Sequence, residues 1–122
     1  ANGFSMQLLK LASPGVPDVY QGTELWDFSL VDPDNRRPVD YAARADLLRG
    51  LLAQGEPDIR FAASLLAGWE DGRAKLWLTH RALTLRRDRP DLFAHGAYLP
   101  LPAEGERADH ALAFARRRDD EA

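Results

Sequence analysis

The chain has 122 residues, a formal net charge of -3 at pH 7 and no cysteine. This length allows one modest domain with its own core, and the acidic balance excludes a global basic field for nucleic acid. The lack of cysteine excludes disulfides and thiolate zinc sites and fits a reducing compartment, so we expect a cytoplasmic location. No apolar run approaches the roughly 20 residues that cross a bilayer, which predicts no membrane partner.

The first residues predict a helix, a turn and a short strand. The chain opens within a helical pattern and without methionine, so we expect a piece of a longer protein. Apolar spacing predicts a helix over 3–12, which the Ser-Pro-Gly sequence at 13–15 ends. The apolar centre of "PDVYQG" predicts a buried strand over about 18–21. No period follows it, which predicts a long ordered loop over 22–37.

The middle of the chain predicts three more helices. Pro38 suits the first turn of a helix over 38–53, and a second helix is expected over 57–67. The Asp71-Gly72 pair is typical either of a hairpin turn or of a helix start. Helical spacing of the apolar residues that follow favours a helix over 72–89.

The last part of the chain predicts two strands. The segments "AYLPL" and "HALAFARR" follow residue 96, and the second alternates apolar and polar side chains, which is typical of a strand. A helix, a glycine turn, a short strand, a long loop and a helix is also the order of one unit of a (β/α)8 barrel. In such barrels the loops that leave the strands build the active site. The predicted fold class is therefore α+β and mostly helical.

One short motif points to a family. The segment "GVPDVYQGTE" places Gly15, Pro17, Gly22 and Glu24 in a spacing that resembles the eighth barrel strand of the α-amylase superfamily, glycoside hydrolase family 13. The longer strings "KLASPGVPDVYQGTELWDFSLVDPDNRRPVDY" and "DGRAKLWLTHRALTLRRDRPDLFAHGAYLPL" resemble the maltooligosyltrehalose synthase family within it. The resemblance covers nearly the whole chain and is strongest over "YQGTELWDFSLVDPDNRRPVD".

The resemblance implies a fold and a reaction. These enzymes are intramolecular transglycosylases, and hence isomerases, that convert the reducing-end α-1,4 bond of a maltodextrin to the α,α-1,1 bond of trehalose. The resemblance implies that residues 1–55 form the last βα unit of a TIM-type barrel and residues 56–96 form connecting helices. Residues 97–122 would begin a C-terminal antiparallel β domain. The expected partners are an α-glucan substrate and the remainder of the barrel, with no cofactor.

No catalytic residue is predicted in the chain. The family's nucleophile, general acid/base and third carboxylate lie on earlier strands, outside these residues. A retaining mechanism needs two carboxyl groups about 5 Å apart. Asp27, Asp32 and Asp34 resemble candidates, but we expect them to be turn and cap residues. The chain alone is therefore expected to be inactive.

The loop chemistry suits sugar binding. Trp26 and Phe28 offer apolar faces on which a pyranose ring can stack, although Trp26 equally fits a core anchor beneath the loop. Salt bridges from Arg36 and Arg37 to loop aspartates are the alternative to direct contact between these arginines and substrate. The predicted substrate-binding residues are Gln21, Glu24, Trp26, Asp34, Asn35 and Arg36.

A metal site is not predicted. The segment "DPDNRRPVD" begins like a calcium-binding EF-hand loop, but Arg37 occupies the position that requires glycine and Ala43 the position that requires glutamate. His80, His95 and His110 have no metal-ligand spacing.

Two other functions stay open on the sequence alone. The chain could be part of another α-glucan hydrolase or transferase of the same superfamily. It could also be a non-catalytic module that binds a glucan or a partner protein.

Overall fold

The computed structural model describes residues 2–55 and 57–118 and shows a mostly helical chain with one small sheet. The helices are α1 (Asn2–Ala12), α2 (Tyr41–Leu52), α3 (Ile59–Ala67), α4 (Arg73–Asp88) and α5 (Pro90–His95). The strands are β1 (Ala97–Leu101) and β2 (Ala113–Arg117), and single 3₁₀ turns cover Asp34–Arg36, Trp69–Asp71 and Ala108–His110. Within the described residues no helix is both long and apolar enough to cross a membrane.

The predicted helices are confirmed with small shifts at their ends. The helix predicted over 38–53 begins at Tyr41, because Asp40 is its N-cap and accepts a hydrogen bond from the Ala43 amide at 2.9 Å. Asp58 caps α3 in the same way. Pro90 does not simply end α4 but begins the separate helix α5, since proline suits a first helical turn.

Gly72 decides between the two structures that the sequence allowed around Asp71. The hairpin is absent, and a 3₁₀ turn leads instead into α4. Gly72 adopts the left-handed conformation with φ 79° and its amide donates to the Trp69 carbonyl. A Cβ atom there would lie 3.2 Å from both the Cδ2 atom of Leu25 and the backbone nitrogen of Trp26. Glycine is therefore needed both for its conformation and for this close approach.

The strand predicted over 18–21 is wrong for this structure. Residues 16–20 have no regular secondary structure, and a turn follows in which the Thr23 amide and hydroxyl both donate to the Tyr20 carbonyl, at 3.1 and 2.7 Å. A strand requires a neighbour that takes up its backbone hydrogen bonds. The sheet that the structure describes consists of β1 and β2 alone, so the segment has no such neighbour.

The predicted β pair after residue 97 is confirmed. Strands β1 and β2 are antiparallel, with Leu99 opposite Ala115. Tyr98 and Phe114 pack on one face with their ring centroids 5.0 Å apart. The connecting residues include the 3₁₀ turn at 108–110.

Helix α4 is the centre of the fold. It contacts α1, α2, α3 and α5, which explains why its apolar residues recur on more than one face. The core cluster contains Leu51, Leu65, Ala74 and Leu76, and partly buried apolar side chains surround it: Phe4, Leu25, Leu47, Leu48, Phe61 and Trp77. Leu25 brings the irregular segment before α2 into contact with this core.

Polar contacts fix α1 on α4. The buried Gln7 side chain donates to the Thr79 hydroxyl at 2.9 Å. Arg86 donates to the carbonyls of Leu11 and Gly15 at 2.8 and 2.7 Å, so it satisfies the end of α1 and holds the turn that follows. Arg86 belongs to the charged sequence at 86–89, and it is half-buried in this contact.

Substitution of Gly72 tests the junction between α4 and the segment that precedes α2. Gly72→Ala is expected to lower the free energy of unfolding by about 1–3 kcal/mol, because alanine is strained at this φ and its Cβ crowds Leu25. Gly50→Ala is the matched control on α2, where a Cβ would meet nothing within 4 Å. It should raise the free energy by about 0.5–1 kcal/mol. Urea titration of both variants measures the free energy of unfolding. Equal effects would show that glycine is not specifically required at position 72.

Candidate functional site

A polar cleft lies between residues 21–40 and the first turn of α2. Its volume is about 400 Å³, which is within the range of small-molecule sites. We call residues 23–39, which form most of its wall, the cleft loop. The residues that line the cleft are Gln21, Gly22, Trp26, Asp27, Phe28, Ser29, Asp34, Asn35, Arg37, Pro38, Val39, Asp40 and Arg44.

Arg44 of α2 joins the two ends of the cleft loop. Its three guanidinium nitrogens donate to the Gly22 carbonyl at 3.0 Å, to the Asp40 carbonyl at 3.0 Å and to the Glu24 carboxylate at 3.1 Å. Gly22 is buried with φ 90°, and a Cβ there would lie 3.2 Å from the Val39 side chain. The two ends of the loop are therefore packed against each other as well as hydrogen-bonded to one side chain.

Trp26 anchors the loop to the helical core. Its indole nitrogen donates to the Trp69 carbonyl at 2.7 Å. Its ring packs edge-on against Phe4 and Trp69, with centroids at 5.4 and 6.2 Å. Gly3 allows this contact, since a Cβ there would come within 3.1 Å of the indole ring. The ring is half-buried and one part of it faces the cleft.

Lys75 of α4 supports the same part of the loop from beneath. Its ammonium donates to the Leu25 carbonyl at 3.0 Å and lies 5.2 Å from the centre of the Trp26 ring, within cation–π range. Burial and the nearby Lys10 lower the pKa of Lys75, while Glu24 and Asp27 partly offset this shift.

The aspartates of the cleft loop fold the loop itself. Asp27 accepts hydrogen bonds from the hydroxyl and the amide of Ser29, at 2.6 and 2.9 Å, and these bonds lower the pKa of Asp27. Asp34 accepts from the Leu30 amide at 2.8 Å and pairs with Arg37 at 2.6 Å. These are the turn and cap roles that the sequence predicted.

The two loop arginines form the salt bridges that the sequence offered as the alternative to substrate contact. Arg36 pairs with Asp32 and Arg37 pairs with Asp34. The Arg36 and Asp32 side chains are 70% and 53% exposed, and an exposed pair of this kind contributes little to stability. Arg37 also donates to the Asp34 carbonyl at 3.0 Å, so it holds the 3₁₀ turn more firmly.

Asn35 lies within that turn at the wall of the cleft. The oxygen of its side-chain amide is buried and has no hydrogen-bond partner among the described residues. An unused buried acceptor costs stability. Asn35 therefore keeps one unused acceptor at the wall of the cleft.

The structure brings together four of the six predicted substrate-binding residues. Gln21, Trp26, Asp34 and Asn35 line the cleft. Glu24 and Arg36 are not among its lining residues: Glu24 turns to Arg44, and Arg36 points to Asp32.

Two residues that organise the site were not predicted from the sequence. Arg44 and Lys75 lie on helices, 20 and 50 positions from their partners Glu24 and Leu25. No local spacing links such distant positions. Within residues 2–55 and 57–118 no cluster of three or more His, Asp or Glu could hold a metal ion.

Comparison with known proteins identifies what the chain resembles. No protein-family model matches it. Two curated sequences from strains of Mycobacterium tuberculosis, each named as a maltooligosyl trehalose synthase, are 48% identical to it over 120 residues. These alignments cover 98% of this chain and 13% of each relative.

Solved structures give the same result. The maltooligosyltrehalose synthase of Arthrobacter ramosus is 50% identical with a TM-score of 0.75, and the alignment covers 94% of this chain and 14% of that structure. A further maltooligosyl trehalose synthase is 36% identical with a TM-score of 0.73 over 93% of this chain and 14% of its own. All these relatives are named as maltooligosyl trehalose synthases. The chain is homologous to maltooligosyltrehalose synthases and corresponds to a small part of them, about one seventh of their length.

Substitution of Trp26 tests whether it anchors the loop. Trp26→Ala is expected to lower the free energy of unfolding by about 1–3 kcal/mol, since it removes two edge-on ring contacts and a hydrogen bond from a half-buried side chain. Phe28→Ala is the matched control in the same loop, because the Phe28 side chain is 87% exposed. Its effect should stay within about 0.5 kcal/mol. Chemical denaturation monitors both variants, and a neutral Trp26→Ala would show that the indole is not an anchor.

Proposed function

We propose that this chain is the part of a maltooligosyltrehalose synthase that carries one wall of the glucan site. In this proposal the full-length enzyme isomerises the reducing-end α-1,4 bond of a maltodextrin to an α,α-1,1 trehalose bond. The observation that carries the proposal is the 48% identity to named synthases, which extends over 98% of the chain and so includes the cleft loop. Every relative described above carries the synthase name, which favours this proposal over another α-glucan enzyme or a non-catalytic module.

The cleft has the chemistry of a sugar site. Phe28 presents an aromatic ring that is almost fully exposed at the cleft wall, and such a face suits the apolar side of a pyranose. Gln21 and Asn35 supply amide donors and acceptors for hydroxyl groups. Trp26 has its indole nitrogen committed to the Trp69 carbonyl, so it offers ring surface rather than a hydrogen bond.

The bond-breaking groups are proposed to lie elsewhere in the full-length enzyme. The carboxylates of Asp27, Asp34 and Asp40 are each engaged by hydrogen bonds within the loop or at the start of α2. A general acid in this chemistry needs a raised pKa, whereas the hydrogen bonds from Ser29 lower the pKa of Asp27. The chain therefore supplies binding and positioning rather than catalysis.

The surroundings of the chain are also part of the proposal. We assign residues 1–55 to the last βα unit of an α-amylase-type barrel of glycoside hydrolase family 13, in which residues 18–21 gain the neighbouring strands that this chain by itself does not supply. We assign residues 97–122 to the start of a C-terminal β domain. Val16 lies in the segment without regular structure and is almost fully exposed, and Val31 and Ile59 are largely exposed. Apolar side chains in such positions suit contact with further parts of a longer enzyme. A cytoplasmic location fits the absence of cysteine.

The glucan-binding role is tested by Phe28→Ala in the full-length enzyme. Loss of a stacked ring is expected to raise KM for maltohexaose about 2- to 10-fold, with kcat little changed. Leu30→Ala is the control, because Leu30 is an exposed apolar residue of the same loop that does not line the cleft. If both variants keep the wild-type KM, this wall does not contact sugar.

The placement of catalysis is tested with the 122-residue chain. Incubated with maltohexaose, it is expected to cause no loss of reducing ends, because its loop carboxylates serve the fold. The full-length enzyme under the same conditions is the positive control. Turnover that persists after Asp27, Asp32 and Asp34 are changed to asparagine would show a catalytic group that this assignment overlooks.

A further inference from the structure

One side chain hydrogen-bonds to both ends of the cleft loop, at the neck where these ends pack against each other. The carbonyls of Gly22 and Asp40 stand at the two ends of the loop, and both accept hydrogen bonds from Arg44. The Glu24 carboxylate binds the third nitrogen of the same guanidinium. When both ends of a compact loop are held in this way, the residues between them have fewer conformations available.

The neck contact is less exposed to solvent than the other ion pairs of the loop. The Arg44 and Glu24 side chains are only 20% and 25% exposed, and a partly buried pair is screened less by water and salt than the exposed Arg36–Asp32 pair. Arg44 is itself fixed, because it lies in the first turn of α2, where the Asp40 carboxylate caps the helix. Helix α2 thus provides a rigid base to which both ends of the loop are attached.

We propose that Arg44 is a positioning residue for the glucan site. The inference rests on the proposed function and adds the group that sets the loop's geometry. Phe28 and Asn35 lie well inside the loop and reach the cleft only while both loop ends stay in place. Without the Arg44 contacts the loop ends separate, and the side chains that contact sugar lose their common orientation. Misplacement of binding groups by about 1 Å costs up to roughly 100-fold in rate.

The test uses the full-length enzyme with Arg44→Met, which keeps an unbranched apolar stem and removes the guanidinium. We expect kcat, corrected for the folded fraction, to fall about 10- to 100-fold with maltohexaose. We also expect a larger ratio of free glucose to transglycosylated product, because a mobile loop admits water to the site. Arg44→Lys should lie between wild type and Arg44→Met, since an ammonium cannot span the three acceptors in one plane.

Arg49→Met is the matched control. Arg49 lies on the same helix, and among the described residues its exposed side chain pairs only with the exposed Asp46. The kcat and product ratio of Arg49→Met should therefore match the wild type. If Arg44→Met and Arg49→Met agree in kcat and product ratio, Arg44 has no positioning role. If Arg44→Met lowers stability alone and the folded enzyme keeps its kcat, the contact serves only the fold, which also overturns the proposal.

Hydrogen exchange separates this inference from the proposed function. The amides of Ser29 and Leu30 are bonded inside the loop, to Asp27 and Asp34. In Arg44→Met they should exchange at least 10-fold faster than in Arg49→Met, whether or not the enzyme forms trehalose. A wild-type enzyme without trehalose-forming activity would refute the function but leave this measurement valid. Equal exchange in the two variants would refute the closure of the loop by Arg44.

Discussion

Hydrogen bonds from arginine side chains to main-chain carbonyls hold together the parts of this chain that lack regular secondary structure. Arg44 holds the two ends of the cleft loop, Arg86 holds the end of α1, and the buried Arg116 of β2 donates to the carbonyls of Phe93 and Gly96 at the end of α5. A buried carbonyl without a donor is costly, and the planar guanidinium can satisfy several carbonyls at once.

Helix α4 connects these local contacts, because several of them attach to this one helix. At its start, Gly72 and Lys75 hold the loop backbone at Leu25, and toward its end Arg86 holds the turn after α1. The segment that forms the cleft is therefore fastened at several points to the element that also carries the core. The position of the cleft wall depends on the same packing that stabilises the fold, so core substitutions on α4 bear on the site.

What could be predicted from the sequence depended on how local the responsible interaction is. The helices follow from apolar spacing within a few turns, and the salt bridges of Arg36 and Arg37 follow from partners three or four positions away. Whether residues 18–21 form a strand could not be predicted from local spacing, because a strand needs a neighbouring strand to accept and donate its backbone hydrogen bonds. Glu24 was expected at the cleft since it follows that segment, but its partner Arg44 lies 20 positions away and gives no local pattern.

Because Arg44 holds both ends of the cleft loop, the length of the loop can vary without a change in the helices. With both loop ends held at α2, the entropy cost of a longer loop grows slowly, by about 0.6 kcal/mol for each doubling of length. Val31 stands at the outer part of the loop with its side chain almost fully in solvent. Insertions or deletions there alter the rim of the cleft while the helices keep their register. The shape of the cleft rim can thus change through this one segment, without any change in the core.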